Sequence, residues 1–190
     1  CLSMIGAGGA VMLMFAHGIS VALLFLLASC IHKRTQTFEM DRMGGLARQA
    51  PFLAVLFVTT MFASIGLPGP GLINFWGEFT IFVALWDFRP WMVVPAVLGV
   101  ILSAIYGLRA MANIFYGKPT EALEESVDLS GVKDLHWREK APALLLLAVL
   151  VFAGVWPKSI TTPLNESLST IYPAVEQQVE EAAQAASLDR

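Results

Sequence analysis

Gly66-Leu67-Pro68-Gly69-Pro70-Gly71, followed by Leu72-Ile73-Asn74-Phe75-Trp76-Gly77-Glu78, interrupts a hydrophobic run that extends from Pro51 to Trp86. A single carboxylate stands just beyond the interruption. The run is 36 residues long and Glu78 is its only charge, whereas one helical crossing of a bilayer takes about 20 apolar residues. It is too long for one simple crossing and too short for two around a centre of proline and glycine. The economical solution is one crossing made of two half-helices joined by Leu67 to Leu72. Backbone that leaves a helix at membrane depth carries unpaired amides and carbonyls, and it survives only where protein or a water-filled cavity surrounds it. Broken helices at the midplane recur in ion and proton transporters. The competing reading is a short hairpin whose glycines only make a turn.

Three further runs flank this one. Cys1 to Ile31 contains no Asp, Glu, Lys or Arg; Pro90 to Phe115 has Arg109 near its end; Ala141 to Pro157 is apolar throughout. With 56% hydrophobic and 14% charged residues among 190, such runs indicate membrane insertion rather than a buried soluble core. The expected fold is an all-α, polytopic membrane protein of about four transmembrane helices, the second discontinuous, with a short C-terminal peripheral helix. Residues 1–158 form the membrane part and residues 159–190 a polar, acidic tail. Within that tail Pro173 to Leu188 reads as a weakly amphipathic helix bearing Glu176, Glu180 and Glu181.

The net charge of −3 and the lack of a basic stripe interleaved with aromatics exclude a nucleic-acid partner. Two cysteines, Cys1 and Cys30, are too few for a disulfide framework or a zinc site. The first run lacks the basic start of a signal peptide and carries His17 at its middle. A chain that starts at Cys1, already inside a glycine-rich apolar run, reads as the tail of something longer.

Charge placement suggests an orientation. The loop from His32 to Ala50 holds Lys33, Arg34, Arg42 and Arg48, and the loop from Gly117 to Lys140 holds Lys118, Lys133, Arg138 and Lys140. If each segment crosses once, both loops share one side, which the positive-inside rule makes cytoplasmic. Arg109 snorkels toward that side, and Trp86, Trp91, Trp137 and Trp156 mark segment ends as interfacial aromatics do. Asp134 is expected to cap a short interfacial helix leading into the fourth segment.

Few residues could carry chemistry. An acidic group at mid-helix costs about 2.5–3.5 kcal/mol on insertion scales, so Glu78 is retained for a function or a partner. Burial and nearby cations both act on a carboxylate's proton affinity, which suits a group that loads and releases a proton. A structural ion pair with a neighbouring lysine is the alternative. Asn74 lies one turn earlier on the same face and is placed to cap the second half-helix. His17, between Ala16 and Gly18 with Ser20 one turn on, has room for close helix contact, and histidine as a residue type can exchange a proton near neutral pH, which suits a relay as well as a plain interhelical hydrogen bond. Gly99, Ser103 and Gly107 form a small-residue stripe that reads as a packing surface. No nucleophile with its base, phosphate loop, HExxH or CxxC occurs in the sequence. Asn165-Glu166-Ser167 matches a glycosylation sequon, a weak three-residue signal.

Taken together, Ala16-His17-Gly18-Ile19-Ser20, Arg42-Met43-Gly44-Gly45-Leu46, Gly66-Leu67-Pro68-Gly69 and Gly77-Glu78-Phe79 resemble, in that order, the antiporter-like membrane subunits of proton-pumping NADH:quinone oxidoreductase, respiratory complex I. The resemblance is strongest to the subunit M, or chain 4, group and extends through Tyr116-Gly117 and Arg138-Glu139-Lys140. It implies that residues 1–158 are the C-terminal membrane part of an antiporter-like, proton-conducting domain. It further implies a half-channel with Glu78 as terminal proton site, His17 as the linking residue, a hinge at Gly66, Pro68, Gly69, Pro70 and Gly71, and Asn74 and Ser20 as supporting polar groups. Glutamate at position 78, where the sister subunits L and N usually carry lysine, favours the M group. No redox chemistry or cofactor is expected in this chain; NADH, FMN, iron–sulfur clusters and quinone would belong to partner subunits of the respiratory chain. The implied partners are the other membrane subunits, L and N above all, in a bacterial inner membrane. The family's subunits are far longer, and their central lysines and partner glutamate lie on earlier helices. Pro70-Gly71-Leu72-Ile73 departs from the short linker of many relatives, which leaves the path at the break open. A subunit of a multi-subunit Na+/H+ antiporter or of a membrane-bound hydrogenase is the alternative function, and a packing segment with no titrating site is a second.

Overall fold

The computed structural model describes residues 3–68 and 73–188, with side chains up to residue 173. The described residues are mostly helical, with no strand among them. Helix α1 (Met4–Thr35) begins at Ser3, whose hydroxyl accepts from the Gly6 amide at 3.1 Å, and stops at Gln36 in the left-handed conformation, φ 55°. Its buried residues Met12, Ala16, Ser20, Leu23 and Leu27 recur every three or four positions, so one stripe of α1 faces the bundle.

Helix α2 (Pro51–Ser64) starts with proline at its first turn, where the missing N–H costs nothing. Its free amides are met from far along the chain: the Asp134 carboxylate accepts from Phe52 N at 2.7 Å and Leu53 N at 3.1 Å. This corrects the expectation for Asp134, which caps α2 rather than the helix that follows it. That following helix, α6, is capped by His136, whose Nδ1 accepts from Arg138 N at 3.4 Å while Glu139 accepts from His136 N at 3.0 Å.

Helix α3 (Ile73–Phe88), a turn at Pro90–Met92 and helix α4 (Val93–Phe115) continue the chain. A short α5 (Glu121–Ser126), α6 (Trp137–Val155) and α7 (Lys158–Leu188) complete it. Among the described residues two helical stretches, Met4–Thr35 and Pro90–Phe115, are long and apolar enough to cross a membrane alone, and α6 with the first part of α7 is a third candidate bent by 67°. At 14 residues α2 is about 21 Å long, short of the ~30 Å hydrocarbon core, so it crosses only together with α3. Contacts along α1 confirm that order. Asn74 meets Ser20, a Cβ on Gly77 would stand 3.0 Å from Leu13 Cβ, and one on Gly9 would stand 3.1 Å from Thr80 Cβ. Thus α3 runs antiparallel to α1, continuing the course of α2 past its midpoint.

The two polar loops meet at one end of the bundle, as charge placement suggested. Arg34 donates to the carbonyls of Lys133 (2.8 Å) and Asp134 (3.1 Å) and pairs with Glu139 at 2.7 Å; Gly45 N donates to Tyr116 O at 3.0 Å, and Thr120 Oγ1 to Arg42 O at 2.7 Å. Gly44, at φ 151°, is required here because a Cβ would run into the Lys118 carbonyl.

The C-terminal region departs from expectation. It is one helix from Lys158 rather than a solvated tail with a short helix at Pro173, and its first turns pack on α1: a Cβ on Gly8 would meet Leu168 at 3.7 Å and Asn165 at 3.8 Å. Ile160, Leu164 and Leu168 recur every four residues, an apolar stripe that the polar composition of the region hides. Asn165 of the sequon therefore faces α1. The side chains of Glu176, Glu180 and Glu181 lie outside the described residues.

Candidate functional site

The break begins with a complete helix stop. Gly66, at φ 67°, sends its N–H to Ala63 O at 3.3 Å, and Leu67 N–H reaches back to Phe62 O at 3.1 Å. These paired bonds around a left-handed glycine are a Schellman motif, and Pro68 then prevents the helix from resuming. Gly69, Pro70 and Gly71 of the expected hinge lie outside the described residues.

Across the break α3 starts at Ile73, and Asn74, 1% exposed, joins three helices. Its Nδ2 donates to Ala63 O of α2 at 2.7 Å and to Ser20 Oγ of α1 at 3.3 Å; Ser20 Oγ in turn donates to His17 O at 3.1 Å. Asn74 was expected to cap α3. Instead its amide supplies a donor to a carbonyl at the end of α2, while its Oδ1 is buried with no donor among the described residues.

Glu78, one turn further, folds back over the break. A methyl group on Gly66 would overlap its carboxylate. Gly66 is thus glycine for two reasons, its left-handed backbone and the carboxylate seated against it. Gly9 and Gly77 let α1 and α3 approach closely just here, a Cβ on Gly9 falling 3.1 Å from Gly77 O. On the other side of α3, Trp76 Nε1 donates at 3.2 Å to Gly154 O, in the last turn of α6 before its bend.

Glu78 and His17 line one open cleft of about 560 Å³, joined by Ser64 at the end of α2 and Ser103 on α4; the remaining lining is apolar. Among the described residues no Lys or Arg lies within salt-bridge distance of Glu78; the ion pairs there are Lys33–Glu139, Arg34–Glu139 and Arg42–Glu39. No group of three or more metal-ligating side chains occurs among the described residues. The structure brings together the sequence-selected Glu78, His17, Ser20, Asn74 and Gly66. It adds Ser64, Ser103 and Trp76, which sequence reasoning missed. Ser103 was assigned to a packing stripe, of which only Gly107 packs closely within this chain, a Cβ there falling 3.2 Å from Met61 Sδ, while one on Gly99 meets nothing within 4 Å. Their polar atoms in otherwise apolar runs were the available signal.

A bundle of apolar helices with one span discontinuous, and with polar and titratable groups gathered at the discontinuity, defines an integral membrane protein built around a broken helix. The chain belongs to the family described as NADH:quinone oxidoreductase/Mrp antiporter, transmembrane, which matches residues 1–105. Among curated relatives it is 41% identical over 152 residues to NADH-quinone oxidoreductase subunit 13 of Thermus thermophilus, covering 80% of this chain and 30% of that protein. It is 35% identical over 165 residues to NAD(P)H-quinone oxidoreductase chain 4 of a Picosynechococcus species (83% and 30%), and 34% identical over 164 residues to NADH-quinone oxidoreductase subunit M of Rhodobacter capsulatus (86% and 31%). The chain therefore spans about 30% of the length of these relatives. Among solved structures it superposes on a chain of respiratory complex I from Thermus thermophilus with bound NADH, with a TM-score of 0.77 and 36% identity over 90% of this chain and 35% of that one.

Proposed function

We propose that this chain forms part of a proton half-channel in the M-type (chain 4) membrane subunit of a proton-translocating NADH:quinone oxidoreductase. Glu78 is the terminal proton-carrying group and His17 relays to it. The observation that carries this reading is the shared cleft: two titratable side chains from separate helices open onto one space, at the break of a discontinuous helix, and neither is bound into an ion pair among the described residues. A carboxylate locked in a salt bridge would be a poor proton carrier, and so would one sealed in apolar packing. Ser64 supplies a hydroxyl on the cleft wall, and Ser103, whose hydroxyl donates to Val100 O at 2.8 Å, offers its oxygen as an acceptor there.

Electron transfer from NADH to quinone, with its flavin and iron–sulfur clusters, belongs to other subunits, and this chain contributes proton movement only. The partners are the other membrane subunits of complex I, the sister subunits L and N among them, in a bacterial inner membrane with the two polar loops cytoplasmic. The family also covers Mrp antiporters; the relatives named above, all quinone oxidoreductase subunits, favour the respiratory assignment.

The test is Glu78→Gln in the full-length subunit, assembled in its complex and reconstituted in vesicles. Proton pumping per NADH oxidised is expected to fall, with the assembled complex retained. Pumping equal to the unsubstituted complex would overturn the assignment of Glu78, and the same measurement on His17→Gln tests the relay.

A further inference from the structure

We propose that Asn74 is a positioning residue, a donor-side latch that ties α1, α2 and α3 together at the break and so fixes Glu78 relative to His17. The inference rests on the proton-channel reading of Glu78 and goes beyond it by assigning the element that holds the two sites in register.

The amide's orientation follows from its neighbours. The atom 2.7 Å from Ala63 O must be a donor, because a side-chain oxygen there would set two acceptors against each other; Nδ2 therefore faces Ala63 and Ser20. Ala63 O belongs to the last turn of α2, where carbonyls lack their helical partners, and its bond from Gly66 N is long at 3.3 Å. The shorter bond is the one that crosses the break. From Ser20 the chain of bonds continues to His17 O, so the same amide reaches the backbone of the relay residue. Asn74 and Ser20 are buried to 1% and 0% exposure, and water does not compete for these bonds. A capping residue would spend its acceptor on the first amides of α3; here the donor is used and the acceptor Oδ1 has no donor among the described residues.

Because the latch needs a donor, it can be made to depend on pH. In Asn74→Asp the introduced carboxyl matches the amide in size but can bond Ala63 O only when protonated. Asn74→Leu is of similar volume and makes no hydrogen bond at any pH. The titratable groups nearest the site are His17 on α1 and Glu78 on α3; Cys30, His32, Lys33 and Arg34 stand at the far end of α1, Asp87 at the far end of α3, and Tyr106 one turn beyond Ser103 on α4. Helix α2 carries none; Arg138, Glu139 and Lys140 stand at the opposite end of α6 from Gly154, and Arg109 lies beyond Ser103 on α4.

The experiment measures proton pumping per NADH oxidised against pH for full-length subunits assembled in the complex and reconstituted, beside Glu78→Gln. Asn74→Leu is expected to lose pumping about fivefold or more at every pH, the low end of what couplings of this kind amount to. Asn74→Asp should match that loss at high pH and recover as pH falls, adding a limb to the profile that the unsubstituted complex lacks. Should the Asn74 variants fail to assemble, Ser20→Ala removes the α1 arm alone and is expected to lower pumping in the same assay. A profile like that of the unsubstituted complex in both Asn74 variants, a pH-independent loss in Asn74→Asp equal to that of Asn74→Leu, or an unaltered Ser20→Ala would overturn the proposal. If Glu78→Gln pumps normally, the channel reading fails instead, so the two failures are distinguishable.

Discussion

Gly66→Ala is the most informative single change in this chain because two separate effects meet at one carbon. The position sits at φ 67°, where an L-residue with a Cβ is disfavoured by about 1–2 kcal/mol. The new methyl also overlaps the Glu78 carboxylate, and pushing that side chain some 30° from its rotamer costs about 0.5–1.5 kcal/mol. Together the substitution should destabilise the full-length subunit by about 1.5–3.5 kcal/mol, read by titrating the purified protein out of mixed micelles with denaturing detergent. A double-mutant cycle separates the parts. In a Glu78→Ala background the steric component vanishes and the backbone component stays, so Gly66→Ala should cost about 1 kcal/mol less there. Gly66→Asn supplies the converse, a side chain tolerant of the left-handed region yet larger, which relieves the backbone but not the collision. An equal cost with and without the carboxylate would refute the seating of Glu78 on the break. No cost at all would refute the left-handed helix stop itself.

Further outcomes follow from other contacts. Gly77→Ala places a methyl 3.0 Å from Leu13 Cβ, forcing α1 and α3 apart beside Glu78, and should lower both stability and pumping; Gly99→Ala, with nothing within 4 Å inside this chain, should be neutral or stabilising by up to about 1 kcal/mol, compared in the same unfolding titration. Asp134→Ala strips two amides at the start of α2 of their acceptor and should destabilise by about 0.5–2 kcal/mol, whereas Asp134→Asn, which keeps one acceptor, should cost less. Glu139 lies ahead of the apolar stretch of α6, and the hydrogen bond from Arg34, with those from the His136 amide and Lys33, holds its carboxyl down at about 2. Its folded value is below the unfolded one, so the stabilisation is complete above about pH 4.5 and is lost as pH falls toward 2. Unfolding followed across that window should show a decline that Glu139→Gln removes.

Much of this architecture was legible in the chain itself, because the bilayer imposes one strong rule: about 20 apolar residues per crossing, with charge confined to the ends. The discontinuity in the second crossing announced itself through proline and glycine, which remove a donor and permit a left-handed turn, and Glu78 through the cost of a charge in apolar surroundings. Local chemistry of that kind is written residue by residue. The sequence also yielded Asn74, Ser20 and His17 as polar exceptions within apolar runs, but not what each one touches. Asn74 is four residues from Glu78, which invited a local capping role, yet its partners are 11 and 54 positions away. Asp134 stands near the start of α6 and caps a helix 82 positions earlier. The first half of α7 was hidden by its polar average: Ile160, Leu164 and Leu168 stand every fourth residue in the sequence, but only the structure shows that this stripe packs on α1.

The broken span and its carboxylate were therefore determined by the sequence alone, since backbone stereochemistry and desolvation act where the residues stand. That the carboxylate lies on Gly66 and shares a cleft with His17, and that one amide spans the break, was decided by tertiary structure. Those contacts depend on how close α1 and α3 approach through Gly9 and Gly77, a distance fixed by two glycines in different helices acting together.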